Sequence, residues 1–475
     1  MTQVHDLGAI ELAAALQAKQ VSPVEVVDAY LDRIDRWNLT VGAYVTVTGD
    51  RARAEALRAE QAIQRGADDL PPLLGVPIPI KDLTRVAGVR CTYGSAVYAD
   101  AVAYVDDGVV ERLRAAGTVL LGKTSTPEFG SPCYTEPDVA PPSRTPYDLS
   151  RSAGGSSGGA AAAVAAGLAP AAHGGDGGGS LRIPASVCGL VGFKASRGRV
   201  SSGPHLGDVS GLPINGAVTR SVPDAAVLLD ALAGPWTGDP WWAPELPAGA
   251  TFLSACASPP GRLRIARTRT PFLADTAPHP DVIAAYDAAT ALLIELGHEV
   301  EDVDAPMSPE DVPAFETVWH VLATLMPVPG DREYLLRPLT RWQRELGGRT
   351  SGAEYARAIG SMQQVGRRIV TRLSGYDATL VPTVAQPPPL IGELRNDDDP
   401  AADFEAQKRF TPWTSAANVS GLPAVSLPMY QTRAGLPIGI MLLGRPAGDA
   451  ALLQLAAQLE QARPWRTVPM TDFAT

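Results

Sequence analysis

The sequence predicts an α/β fold, and three observations carry that expectation. Helical segments alternate along the chain with short apolar, β-branched runs of strand length. Two glycine clusters, each presenting a serine, bracket a small apolar run at residues 158–168 that suits a buried helix. Apolar residues make up 45% of the 475 positions, enough for a substantial core in one large unit.

The elements follow in order. Residues 7–19 have helical periodicity. Ser22-Pro23-Val24-Glu25 reads as a capping box with proline at the first helical position, opening a helix to about Arg36. Residues 50–64 form another helix, charged on one face. Residues 74–80 read as a buried strand, and its two prolines suggest an edge or a bulge. A helix over 107–116 stops at Gly117, and 118–121 is a short buried strand. Residues 223–232 are helical, and 234–261, rich in Pro, Gly and Trp, form a surface excursion. A strand at 262–266, a helix at 281–296 closed by Gly297 and a strand at 298–303 come next. Residues 309–374 are mostly helical and carry Trp319, Trp342 and Tyr355. A strand at 378–381 leads into a proline-rich loop over 382–403, of the kind that covers sites. Strands at 424–427 and 437–443 and a helix at 449–462 complete the pattern.

A net charge of −11 argues against nucleic acid and anionic membrane as partners. The longest apolar run is too short and too glycine-broken to span a bilayer, and the N-terminus lacks a basic-then-apolar leader, so a cytoplasmic chain is expected. Cys91, Cys133, Cys188 and Cys256 stand far apart with no CxxC pair. Reduced, mostly buried thiols are therefore expected, with no metal site and no cofactor.

The chemistry concentrates at residues 151–184. Glycines beside Ser156 and Ser180 let the backbone approach a ligand, and consecutive N–H groups in such a turn can hold a developing oxyanion. A serine nucleophile needs a base. Gly154 to Gly158 fits the G-x-S-x-G nucleophile elbow, which requires a later acid and histidine. Of the downstream histidines, His173, His205, His279, His298 and His320, none stands in a recognisable context, although the order leaves a Ser-His esterase open. His173 itself reads more readily as a satisfied core residue. Gly117 to Thr124 spells a phosphate-binding P-loop string, but its middle residues are themselves strand. A lysine serves as base only if burial keeps it neutral near working pH. Lys81 follows the apolar stretch Val76-Pro77-Ile78-Pro79-Ile80; against it, the neighbouring Asp82 could pair with it and keep it charged.

The stretch Gly154 to Gly159, with Asp176, Gly178, Gly179, Ser180, Arg182, Pro184, Cys188-Gly189, Gly192 and Lys194, resembles the signature of the amidase signature family. The likeness extends upstream to Gly75 to Asp82 and Gly122 to Phe129, and downstream to Asn418 to Ala424. The 24-residue step from Ser156 to Ser180 fits the family's two-serine spacing. The resemblance implies one domain over 1–475, built on a central twisted mixed β-sheet covered by helices on both faces. Its catalytic core would lie at about 70–230, with a helical, pocket-lining insertion at about 305–375.

The resemblance also implies roles. Ser180 is the nucleophile, and Ser156 bridges it to Lys81 across a cis Gly155–Ser156 peptide. The N–H groups of Gly177, Gly178, Gly179 and Ser180 form the oxyanion hole, while Ser157, Asp176 and Arg182 support the site. Gly177 stands where the family often has Thr, Ile or Val. The implied reaction is acyl transfer from an amide to Ser180 and then to water, with esters and carbamates as easier relatives. Residues 181–189, with His173 and Arg197-Gly198-Arg199, resemble the branch acting on nylon-type oligomers and urethanes. Ile183, where the glutamine amidotransferase branch usually has Gln, indicates no transamidation partner. Phe129, Gly130, Ser131, Cys133, Tyr134, Trp319, Asn418 and the loop after Pro382 are expected to line the pocket. The partner expected is a small amide or carbamate, on a monomer or homodimer. A binding protein on an inactive amidase scaffold is the alternative from another class, and the intact Lys81, Ser156 and Ser180 speak against it.

Overall fold

Capping chemistry sets the first long helix. Ser22 Oγ accepts the Glu25 peptide N–H at 3.1 Å, and the Glu25 carboxylate accepts the Ser22 N–H at 2.9 Å. Pro23 opens helix Pro23–Val41, which passes the expected end near Arg36 and stops where Gly42 turns left-handed at φ 62°. The computed structural model describes residues 3–66 and 69–465; the ends of the expected domain and residues 67–68 lie outside them.

The strands form two sheets. In the small one, β1 (Tyr44–Val47), β2 (Ile80–Lys81) and β3 (Gly122–Thr124) lie in the order β1-β3-β2, with β3 antiparallel to β1 and parallel to β2. The main sheet holds β4 (Ala171–Asp176), β5 (Val191–Lys194), β6 (Ile214–Thr219), β7 (Arg264–Arg267), β8 (Glu299–Asp302), β9 (Ala378–Pro382), β10 (Ala424–Gln431) and β11 (Pro437–Gly444). Their order is β4-β6-β5-β10-β11-β9-β7-β8. Pairing is antiparallel from β4 through to β9, whereas β7 runs parallel to β9 and β8, so the sheet is mixed.

Successive strand residues point to opposite faces, and here each face meets its own core. Ile438, Ile440 and Leu442 of β11 pack in one core with Val282 of helix Pro280–Glu295 and Leu453 of helix Asp449–Ala462. Met441 and Leu443 join a second core with Met362, Val365 and Ile369 of helix Gly352–Leu373. The expected α/β architecture, a mixed central sheet with helices on both faces, is the observed one.

Three expectations are corrected. The strand expected at 74–80 is only β2, because Pro77 and Pro79 have no N–H to give a ladder. Ile78 and Val119 N–H groups still bond across, to Val119 and Val76 carbonyls at 2.8 and 2.9 Å. The strand expected at 118–121 starts at Gly122 instead. The loop expected over 382–403 ends early, since Pro400–Phe410 is a helix capped by Asp399, whose carboxylate accepts the Ala402 N–H at 3.0 Å. Cys91, Cys133, Cys188 and Cys256 are all buried free thiols. No helix among the described residues is long and apolar enough to cross a membrane.

Candidate active site

The site is built where the two glycine clusters meet. Helix Gly158–Ala165 is buried along its whole length, and its small residues are required by close approach. A Cβ on Gly159 would stand 2.3 Å from the Ser125 nitrogen and 2.6 Å from the Ala43 carbonyl oxygen. That packing fixes Ser156 and Ser157 just before the helix, after a cis Gly155–Ser156 peptide. From the other side, β4 ends at Asp176, and the turn 177–179 delivers Ser180 just ahead of helix Arg182–Val187. The Ser157 N–H donates to the Ser180 carbonyl at 3.1 Å, tying the two serine segments together.

Lys81 projects from β2 between them. Its Nζ lies 2.7 Å from Ser156 Oγ, 3.0 Å from Ser157 Oγ and 3.4 Å from the Gly175 carbonyl oxygen. Lys81 is 2% exposed. Burial pushes its pKa down to about 7, against the opposing charge of Asp176. The feared Lys81–Asp82 pair does not form. Asp82, in the turn that follows β2, faces the other way, where it pairs with fully buried Lys123 at 2.8 Å and accepts from the Thr92 hydroxyl at 2.5 Å. The lysine of the P-loop string is thus bound to Asp82, and the string's last residues, Gly122 to Thr124, are β3.

A buried brace holds the glycine turn. Asp176 accepts from Arg182 Nε and Nη2, each at 2.9 Å, and from the Leu181 N–H at 3.2 Å. Burial raises its pKa, but the Arg182 guanidinium and these hydrogen bonds prevail and hold it well below the usual carboxylate range. Asn418 completes the brace, donating to Asp176 Oδ1 at 2.9 Å and accepting from Arg182 Nη2 at 2.7 Å. Gly179 donates its N–H to Asp176 Oδ1 at 2.8 Å. It is therefore already engaged by a partner among the described residues, unlike the N–H groups of Gly177, Gly178 and Ser180 in the expected set of four. Gly177 faces Trp319: a Cβ there would lie in van der Waals contact with the indole at 3.5 Å, so any larger side chain is built against that ring. Phe315 stacks on that ring at 5.3 Å between centroids.

A cavity of about 360 Å³ opens onto Lys81, Ser156 and Gly177. Phe129, Gly130, Ser131 and Trp319 line it as expected. Three other expected lining residues do not. Cys133 is buried, its N–H given to Gln407 at 2.9 Å; Tyr134 is buried against Asp403, hydroxyl to carboxylate 2.6 Å; Asn418 belongs to the Asp176 brace. The segment after Pro382 is replaced as a wall by residues 201–215, including Leu206 and Val209, and by Leu322, Met326, Thr340 and Gln343. Sequence reasoning missed these. The Gly/Ser/Pro-rich run from Ser201 was a legible loop signal, whereas Gln343 looks like any polar helix residue. No histidine among the described residues lines the cavity. His173 is buried, its Nδ1 accepting the Lys81 N–H at 3.4 Å and its Nε2 lying 3.2 Å from Asn215 Oδ1. Burial pushes its pKa down to about 3. Among the described residues no group of His, Cys, Asp and Glu converges as metal ligands do.

With this geometry in place, the comparisons define the class. The family profile described as Amidase matches residues 25–453. The chain belongs to the amidase signature family and is a hydrolase acting on amides. It is 35% identical to the 6-aminohexanoate-cyclic-dimer hydrolase of Paenarthrobacter ureafaciens, over 95% of this chain and 94% of that one. The solved structure of a 6-aminohexanoate cyclic dimer hydrolase superposes with a TM-score of 0.91 at 32% identity, covering 99% of this chain and 100% of the other. A bacterial aryl acylamidase superposes with a TM-score of 0.85 at 28% identity, covering 98% of each.

Proposed function

We propose that the protein hydrolyses uncharged linear, aryl or cyclic amides through an acyl-enzyme on Ser180, with Ser156 and Lys81 as the proton path. The observation that carries this is the 2.7 Å contact between Lys81 Nζ and Ser156 Oγ in a buried site that pushes the lysine down to about 7. A neutral amine can accept a proton from a hydroxyl; an ammonium cannot.

Ser180 Oγ attacks the scissile carbonyl carbon while its proton passes to Ser156, whose own proton passes to Lys81. The N–H groups of Gly177, Gly178 and Ser180 hold the oxyanion; such a donor typically contributes about 3–4 kcal/mol. Collapse breaks the C–N bond, and Lys81 returns the proton through Ser156 to the leaving amine. Water then attacks the acyl-enzyme by the same path and releases the acid. Carbamates and activated esters fit the same steps, since both present a carbonyl to Ser180 and esters leave without needing a proton.

The test is a screen of anilides, cyclic amides, carbamates and esters with the Ser180→Ala protein as blank, together with fluorophosphonate labelling. Turnover and label should both vanish in Ser180→Ala. A labelled peptide carrying Ser156 or Ser157 in place of Ser180 overturns the assignment.

A further inference from the structure

The cavity that reaches Lys81 and Ser156 also reaches solvent, and three apolar side chains belong to both. Leu206, Val209 and Leu325 line it, yet they are 50%, 61% and 57% exposed. Lys81 and Ser156, at its floor, are buried. The cavity therefore runs from the reacting groups outward to an apolar rim. Single exposed apolar side chains are ordinary on a protein surface, whereas a set gathered around one cavity marks a binding site.

The rim is drawn from distant parts of the chain and held in place. Leu325 caps the C-terminal end of helix Val312–Thr324. Leu206 and Val209 stand on the segment 201–211, which is tied at both ends. At one end Ser201 Oγ donates to Asp239 and accepts the Gly203 N–H, each at 2.8 Å. At the other, Arg197 Nε donates to the Gly211 carbonyl at 2.6 Å, and Asp208 accepts the Ser210 and Gly211 N–H groups at 2.9 and 2.8 Å. Leu83, Leu322 and Met326 continue the apolar wall. Among the described lining residues Lys81 is the only cation, so a tail ending in carboxylate finds no charge partner at the rim.

We infer that Leu206, Val209 and Leu325 select amides by length, favouring those whose uncharged chain reaches from the scissile carbonyl to the rim. There the chain's methylenes leave water against the three side chains, and each one buried raises kcat/KM about two- to fourfold. A chain too short to reach the rim gains nothing from it, and one that passes the rim gains no more.

The inference rests on the amidase reading of the cavity, so the two are tested separately. Fluorophosphonate labelling of Ser180 reports on the nucleophile alone. Length is read in two series, one on each side of the scissile bond: anilides of butanoic to decanoic acid, and acetanilides bearing para-alkyl groups from ethyl to octyl. In the parent, kcat/KM should rise about two- to fourfold per methylene over part of at least one series. In that series Leu206→Ser, Val209→Ser and Leu325→Ser together should lower the ratio of longest to shortest member about tenfold. The ratio cancels any loss of folded protein, and the three side chains are exposed, where substitutions disturb folding little. The same members titrated calorimetrically into Ser180→Ala proteins, with and without the rim substitutions, give the ratio of dissociation constants irrespective of turnover. A ratio changed by less than about threefold in both series, by rate and by binding, overturns the inference. So does a rim covered by a second copy: a parent dimer that the substitutions dissociate in sedimentation velocity while the ratio stays unmoved.

Discussion

Lys81 and Lys194 are chemically alike and both buried, yet they meet different partners. Burial pushes each down to about 7. Lys194 Nζ donates to the Ala195 carbonyl at 2.8 Å, away from the cavity wall, whereas Lys81 Nζ meets two serine hydroxyls. The partner, more than the shift, makes Lys81 a base. On the proposed path, kcat/KM for an unactivated amide should fall on the acid side with an apparent pKa near 7, because protonation removes the base. A pH–rate profile checks this, and an acid limb near 4 would point to a carboxylate instead. Lys81→Ala should lose several orders of magnitude while circular dichroism remains native, and less on activated esters. Lys81→Arg should not rescue, since guanidinium stays charged. If Lys81→Ala stays within about tenfold of the parent, a difference of only ~1.4 kcal/mol, Lys81 is not the base.

Two short elements set this geometry. At the end of β2, Lys81 is offered to the serines, while Asp82, the first residue of the turn that follows, faces Lys123. Asp82→Ala would leave Lys123 buried and unpaired, at a cost of about 3–5 kcal/mol. Urea titration of Asp82→Ala should show that loss, and adding Lys123→Met should recover most of it. A double variant as unstable as the single would mean that the pair is not the source. The second element is the glycine turn. Gly177→Val should drive its methyl groups into Trp319 and shift the N–H donors, lowering kcat by about ten- to a hundredfold. Trp319→Ala in the same chain should restore part of kcat. No recovery would separate the turn from the indole.

Across the molecule, both faces of the main sheet are buried, and charged groups left inside carry a pH signature. The folded pKa values of Lys81 and Lys194, each about 7, lie below the ordinary lysine value of 10.5. Between these limits the unfolded chain binds more protons than the folded one, so these groups make stability rise with pH. Below about 7 both states hold the protons and the full penalty remains. The urea midpoint should therefore rise between pH 7 and 9, and Lys81→Met should show roughly half that rise. A flat or falling midpoint would contradict the burial effect. Glu460 acts on the other side of neutrality. Burial raises it to about 7, so its ionisation costs stability between its ordinary 4.5 and that value.

Local signals made much of this legible. Ser22, Pro23 and Gly42 bound a helix by cap chemistry that needs no distant partner, and the small residues of 158–165 announce a helix that must be approached closely. The glycine clusters and the spacing of Ser156, Ser180 and Lys81 indicated the family and its chemistry. Strands β4 and β5 were not legible, because Ala171 to Asp176 and Val191 to Lys194 owe their conformation to pairing with β6 rather than to their own propensity. The same holds for the site's finer parts. Which way Asp82 turns and which residues wall the cavity depend on groups far apart in the chain. Sequence alone determined the fold class and the reactive residue types, since caps, periodicity and glycine turns are local. Only the tertiary structure decided partners and protonation, because burial and hydrogen bonding exist once distant segments are packed together.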